Sequence, residues 1–222
     1  MFEGVLAAWL IGIFPAYMCW KSQQLGGMAR SKTARYLSTI FLAGASLAAL
    51  TSIWLMRGRG WDELGLSVHP PLGGLVGLAF AIVLVLILTI ATRSKAHKDE
   101  SLVAAARGFL PETKSEMLLF VVFSFVVGVA WEVLYRGFLL WFLEPLVSLW
   151  GAVLVATVAY ALAHGISDRR RIAPSLLSAL AFSAGYALTG SLWWLILIHI
   201  AFPLVGAFAT KRPLHQVAVT AR

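Results

Sequence analysis

Charged residues and cysteine are scarce in this sequence. Only 13% of its 222 residues are Asp, Glu, Lys or Arg, whereas 60% are hydrophobic. A soluble domain of this length needs more polar surface than that, so we expect the chain to lie in a bilayer. Cys19 is the only cysteine. The sequence therefore excludes an internal disulfide and a cluster of thiolate metal ligands.

The first hydrophobic segment also lacks the features expected of a cleavable signal. No basic residue precedes the first hydrophobic segment, Glu3 lies within it, and no small-residue cleavage site follows it closely. We interpret this segment as a retained membrane helix.

Hydrophobic segments recur along the whole chain. A spanning helix needs about 20 apolar residues, and such segments lie near 3–20, 36–56, 71–92, 116–142, 148–165, 172–189 and 191–209. Backbone groups cannot face lipid unpaired. The sequence therefore predicts an all-α, polytopic bundle of about seven transmembrane helices.

The predicted bundle is a single membrane domain over residues 1–222. Residues 1–92 form anchoring helices, and 93–115 form a polar inside connector with a short interfacial helix at 101–109. Residues 116–209 carry the polar groups of interest, and 210–222 form a basic tail.

The net charge of +8 is distributed along the chain in the manner of a membrane protein. If the N-terminus lies outside, the inside segments hold most of the basic residues, which is the positive-inside bias. We expect a multi-pass protein of the cell membrane with its N-terminus outside and its C-terminus in the cytoplasm. Membrane lipids are its expected partners, with anionic headgroups facing the basic segments and no role for nucleic acid.

Four ionisable residues stand out within the hydrophobic segments: Glu132, Arg136, His164 and His199. A charged residue at a helix centre costs about 2.5–3.5 kcal/mol on insertion scales, and such residues normally face the bundle interior. Glu132 and Arg136 are spaced i, i+4, which predicts a pair on one helix face. A structural salt bridge and packing histidines are the alternative interpretation.

Depth favours a shared site over separate packing roles. At 1.5 Å per residue, Glu132, His164 and His199 lie roughly 14–21 Å from the predicted outside ends of their helices. That depth is near the middle of a hydrocarbon core about 30 Å thick. Tyr160 lies one turn before His164 and shares its face.

The motifs that carry these residues resemble those of the CPBP family. Glu132-x-x-x-Arg136-Gly-Phe-Leu-Leu is followed by Tyr160-x-x-x-His164 and then by "TGSLWWLILIH", which ends at His199. The family comprises CAAX-processing endopeptidases and bacteriocin-processing enzymes, which are glutamate-dependent intramembrane proteases. The resemblance covers residues 131–203.

The resemblance implies a catalytic site without a cofactor or metal. Glu132 and His164 would activate a water that attacks a peptide carbonyl, and His199 would lie on the oxyanion side. Arg136, Tyr160 and Tyr135 would support them. The chain departs from the family at two positions: Trp131 replaces the first of two consecutive glutamates, which the family is thought to use as the general base, and Pro203 replaces an asparagine.

These features predict a peptidase acting on a membrane-associated or leader-bearing protein. The alternative is a catalytically silent relative that acts as a membrane binding or scaffold protein. A proton-coupled transporter is the third hypothesis, although no inverted repeat supports it. A zinc site on Glu132, His164 and His199 is the weaker mechanistic alternative.

Overall fold

The structure is a computed structural model of the chain, and it describes residues 1–24, 31–96, 108–165 and 169–209. Within this part of the chain the regular secondary structure is entirely helical. The predicted basic tail at 210–222 lies outside the described residues, as does most of the predicted interfacial helix at 101–109.

Seven helices, α1 to α7, account for the described part of the chain. Helix α1 consists of Phe2–Ala8, the π-helical stretch Trp9–Ile13 and Phe14–Gln24. The others are α2 (Lys32–Met56), α3 (Leu72–Ala96), α4 (Lys114–Glu132), α5 (Leu139–Ala163), α6 (Arg169–Thr189) and α7 (Trp193–Ala209). A π-helical segment, Val133–Phe138, joins α4 to α5, and a short 3₁₀ helix, Trp61–Leu64, follows α2.

The chain reverses direction inside α5. Ser148 has left-handed backbone angles, with φ 67° and ψ 164°. The ring of Tyr160 lies 5.1 Å from that of Tyr135, so residues 149–163 run back along the preceding helix. The 50-residue helical region Lys114–Ala163 thus contains the predicted segment 116–142 and all but the last two residues of the predicted segment 148–165.

The helices are long and apolar enough for a membrane bundle. Five stretches of the described residues qualify as spans by length and composition, and α7 is a shorter apolar helix. Because Lys114–Ala163 holds two of the predicted segments, the count agrees with about seven crossings. The predicted all-α membrane bundle is confirmed.

One end of the bundle, which we call the Arg59 end, gathers the N-terminus and two loops. Arg59 Nη1 lies 2.5 Å from Glu3 Oε1, and its guanidinium stacks over the ring of Trp141. The amide of Leu192 donates to the carbonyl of Gly65 at 2.9 Å. These contacts tie α1, α5 and the turn before α7 to the segment between α2 and α3.

The opposite end, which we call the Phe109 end, holds the loop before α4. Tyr36 donates its hydroxyl to the carbonyl of Phe109, and Arg35 donates to that of Gly108. Lys32 Nζ lies 3.0 Å from Glu112 Oε1. The loop at 108–113 is therefore fastened to the start of α2.

Candidate functional site

The π-helical segment between α4 and α5 carries the most deeply buried charges. Glu132 and Arg136 are each 0% exposed, and Arg136 Nη1 lies 3.4 Å from Glu132 Oε1. The Arg136 guanidinium also lies 4.0 Å from the ring centre of Tyr160. π-Helical segments within α-helices are frequent at functional sites. They change the direction in which the side chains point along the helix.

Glu132 also binds the histidine of α7. Its Oε1 lies 2.6 Å from Nδ1 of His199. Helices α4 and α7 approach closely at Gly128, where an added Cβ would lie 2.6 Å from Ile200. The absence of a side chain at Gly128 therefore lets His199 reach the carboxylate.

Tyr160 connects the two histidines. Its hydroxyl lies 3.5 Å from Nε2 of His199, and its backbone carbonyl lies 2.9 Å from Nδ1 of His164. A carbonyl only accepts hydrogen bonds, so in the neutral imidazole of His164 we assign the hydrogen to Nδ1. The lone pair of that ring is then on Nε2, where it can accept a proton.

A cavity of about 460 Å³ lies between these helices. Its walls include both imidazoles, and its residues are Phe14, Met18, Thr39, Phe109, Phe123, Ser124, Val127, Trp131, Tyr135, Tyr160, Ala163, His164, His199 and Pro203. His164 is exposed at the end of α5, and Phe109 is 42% exposed. The cavity therefore opens at the Phe109 end of the bundle.

Glu132 is not part of the cavity wall, but its neighbour Trp131 is. Successive residues of a helix point about 100° apart, so the two side chains diverge. Among the described residues, Glu132 bonds to His199 and Arg136 and not to His164. The carboxylate is therefore linked to the cavity only by its contact with His199, which does line it.

Tyr135 is held by a contact that the sequence does not indicate. Its hydroxyl donates to the carbonyl of Leu10 at 3.0 Å. Leu10 lies in the π-helical stretch of α1, where altered backbone bonding leaves carbonyls available. With its proton committed to Leu10, Tyr135 fixes α1 beside the cavity and does not donate into it.

Pro203 lines the cavity from α7. Proline has no backbone N–H, so the carbonyl of His199 lacks its usual helical partner. Neither Trp131 nor Pro203 has a carboxylate or imidazole, so neither supplies a general base to the cavity.

The sequence did not single out Phe14 or Phe109 as cavity residues. Phe14 belongs to α1, far from the motifs, and Phe109 lies in the loop before α4. Neither belongs to a pattern that separates it from the other phenylalanines. In the described ranges, no three His, Cys, Asp or Glu side chains are placed to share a metal ion.

Comparison with known proteins agrees with the motif resemblance. Residues 113–205 match the family described as "Type II CAAX prenyl endopeptidase Rce1-like". The matched region contains Glu132, His164 and His199, and the predicted resemblance to the CPBP family is confirmed. No curated protein and no solved structure gives a significant match. The matched family is one of proteases, which act as hydrolases.

Proposed function

We propose that this chain is an intramembrane endopeptidase that cleaves a membrane-associated or leader-bearing protein. The observation that carries the proposal is the cavity shared by His164 and His199, one of which is bound to a buried carboxylate. Of two imidazoles that line one cavity, one can transfer protons and the other can stabilise the negative charge that develops on the carbonyl oxygen. These are the two requirements of peptide hydrolysis by an activated water.

In this mechanism His164 is the general base. Its Nε2 removes a proton from a water in the cavity while the water oxygen bonds to the peptide carbonyl carbon. The carbonyl π bond breaks, and its electron pair becomes the oxyanion. When the tetrahedral intermediate collapses, the C–N bond breaks, and the proton held on His164 passes to the leaving amine.

His199 and Tyr160 are the donors to the oxyanion. A protonated His199 would donate from Nε2, with Glu132 balancing its charge from the other side of the ring. The Tyr160 hydroxyl, 3.5 Å from the same nitrogen, would be the second donor. In this assignment Glu132 does not activate the water, the role expected from the family resemblance, but supports His199. The reason is that its carboxylate contacts His199 and does not line the cavity.

We further propose that the cavity opens toward the cytoplasm. The Phe109 end carries Lys21, Lys32, Arg35 and Lys114. The positive-inside rule supports a cytoplasmic position for an end with this charge. A substrate would then approach from that side of the membrane.

A specific observation also favours a second function, that of a catalytically silent binding protein. Trp131 and Pro203 occupy the cavity wall, and the Glu132 carboxylate lies behind it. A protein of this kind would hold a membrane-anchored segment in the cavity without cleaving it.

Cleavage can be tested by labelling new protein N-termini in membranes that contain the full chain or the His164→Ala variant. The exposed loop residue His69 provides the control variant His69→Ala. We expect new termini with the wild-type chain and with His69→Ala, and their loss with His164→Ala. Identical termini in all three membranes, at equal protein levels, would reject the peptidase and leave the binding function.

A further inference from the structure

The wall of the cavity is largely aromatic, and the described residues that line it include no Asp, Glu, Lys or Arg. Besides the two histidines, six of them have aromatic rings: Phe14, Phe109, Phe123, Trp131, Tyr135 and Tyr160. The cavity volume, about 460 Å³, falls within the usual range for ligand pockets, about 300–1,000 Å³. The cavity is therefore suited to an uncharged, mainly apolar occupant.

Trp131 is fixed in place within this wall. Its ring stacks on Phe14 with 5.2 Å between centroids and a 20° angle between the planes. Tyr135 meets it edge-on at 6.0 Å. Held on two sides and 8% exposed, Trp131 presents a rigid apolar surface to whatever enters the cavity.

A lipid tail would be a poor occupant of this cavity. His164, His199 and Tyr160 all contribute polar atoms to it, and an acyl chain offers them no hydrogen bond. Leaving buried polar groups without partners is costly. A peptide backbone supplies the missing donors and acceptors, and its side chain can fill the apolar part.

Building on the proposed function, we propose that Trp131 is a specificity-determining residue that selects an aromatic side chain beside the scissile bond. Aromatic rings at 4.5–7 Å attract one another beyond the effect of their buried area. A cationic side chain at the same place would lose its hydration and find no carboxylate among the described residues of the wall. The preferred substrate segment thus lacks Lys and Arg at this position, with Phe, Tyr or Trp against Trp131.

The test measures binding of four labelled peptides to the full chain in lipid nanodiscs, with empty nanodiscs as the blank. The peptides are acetyl-Ala-Ala-X-Ala-Ala-amide, with Phe, Ala, Lys or Arg at X. We expect the Phe peptide to bind the wild-type chain at least tenfold more tightly than the Lys and Arg peptides. Trp131→Leu, which keeps the wall apolar but removes the ring, should reduce that preference about fivefold or more.

Trp150, which is 54% exposed and outside the cavity wall, provides the matched control Trp150→Leu. This variant should keep the wild-type preference. A further variant, Trp131→Glu, should bind the Lys peptide more tightly than the wild-type chain does. Equal binding of the Phe and Lys peptides, or equal effects of Trp131→Leu and Trp150→Leu, would overturn the proposal.

Binding and cleavage can fail separately. Selective binding without any His164-dependent new termini would support the role of Trp131 and reject the peptidase. Conversely, His164-dependent termini whose sequence preference is unchanged in Trp131→Leu would support the peptidase and reject the role of Trp131.

Discussion

Glu132 and His199 lie 67 residues apart in the chain, yet Oε1 of one is 2.6 Å from Nδ1 of the other. The same carboxylate oxygen lies 3.4 Å from Arg136. Glu132 therefore has two functions that can be separated: it neutralises a buried guanidinium, and it orients an imidazole at the cavity.

We predict that Glu132→Gln lowers activity about 100- to 1000-fold, the loss expected when one oxyanion donor is removed. His199 would keep a hydrogen-bond partner but lose the negative charge that balances its protonated form. The rate of formation of any His164-dependent product measures this effect. Glu144→Gln, on the exposed surface of α5, is the control and should leave the rate unchanged.

The same substitution also leaves Arg136 buried without its counter-ion. Removing one partner of a buried ion pair costs about 3–5 kcal/mol because the other charge is left uncompensated, and Arg136→Met removes that charge. The double variant Glu132→Gln with Arg136→Met should therefore recover thermal stability but not activity. If activity returns together with stability, Glu132 has only a structural role.

A second prediction concerns Trp131. A carboxylate at this position would line the cavity together with His164, which Glu132 does not do. We expect Trp131→Glu to raise the cleavage rate about 100-fold, the lower end of what a positioned general base contributes. Glutamine is similar in size to glutamate but is not a base, so Trp131→Gln should not raise the cleavage rate. Equal rates for the two variants would show that a carboxylate there does not activate water.

The sequence predicted which side chains lie near one another better than it predicted how they are oriented. The i, i+4 spacing was enough to predict that Glu132 and Arg136 share a face, and depth along the helices was enough to suggest that His164 and His199 converge. Whether Glu132 or Trp131 faces the cavity depends on which helices pack around α4. It also depends on the π-helical segment Val133–Phe138, which no pattern in the sequence indicates.

Long-range contacts account for the rest of what could not be predicted. Tyr135 binds the carbonyl of Leu10, 125 residues away, and this places the wall of α1 against the cavity. The loop before α4 is likewise held by distant residues: Arg35 donates to the carbonyl of Gly108 and Tyr36 to that of Phe109, each 73 positions further along the chain. Hydrophobic periodicity predicts helices but does not specify which backbone carbonyl a side chain will find.

A third prediction concerns the entrance of the cavity. Tyr36 is fully buried, and its hydroxyl holds the backbone of Phe109 at the cavity mouth. Tyr36→Phe removes that hydrogen bond while keeping the ring, at a cost of about 1 kcal/mol. We therefore expect the mouth to open about fivefold more often, since every 1.4 kcal/mol is tenfold.

This opening can be measured by the rate at which a thiol reagent labels a cysteine placed at Ala163, which lines the cavity. The background is Cys19→Ser, so that the introduced thiol is the only one. Tyr17→Phe, at a residue that is 42% exposed on α1, should label at the original rate. An unchanged rate in Tyr36→Phe would mean that the loop at 108–113 does not control access.

The last prediction tests the close approach of α4 and α7. An alanine at Gly128 would place its Cβ 2.6 Å from Ile200 and 3.2 Å from the backbone nitrogen of the same residue. Because the second contact is with backbone, side-chain rotation cannot relieve it, and α7 must move. Overpacking of this kind costs about 1–3 kcal/mol, and the shift would carry His199 away from Glu132. We expect Gly128→Ala to lower both the thermal stability and the cleavage rate.

Gly44→Ala is the control, because an added Cβ there meets nothing within 4 Å. It should keep or raise the thermal stability, because alanine favours helix over glycine by about 1 kcal/mol. Equal behaviour of the two alanine variants would show that the bundle absorbs the shift without moving His199.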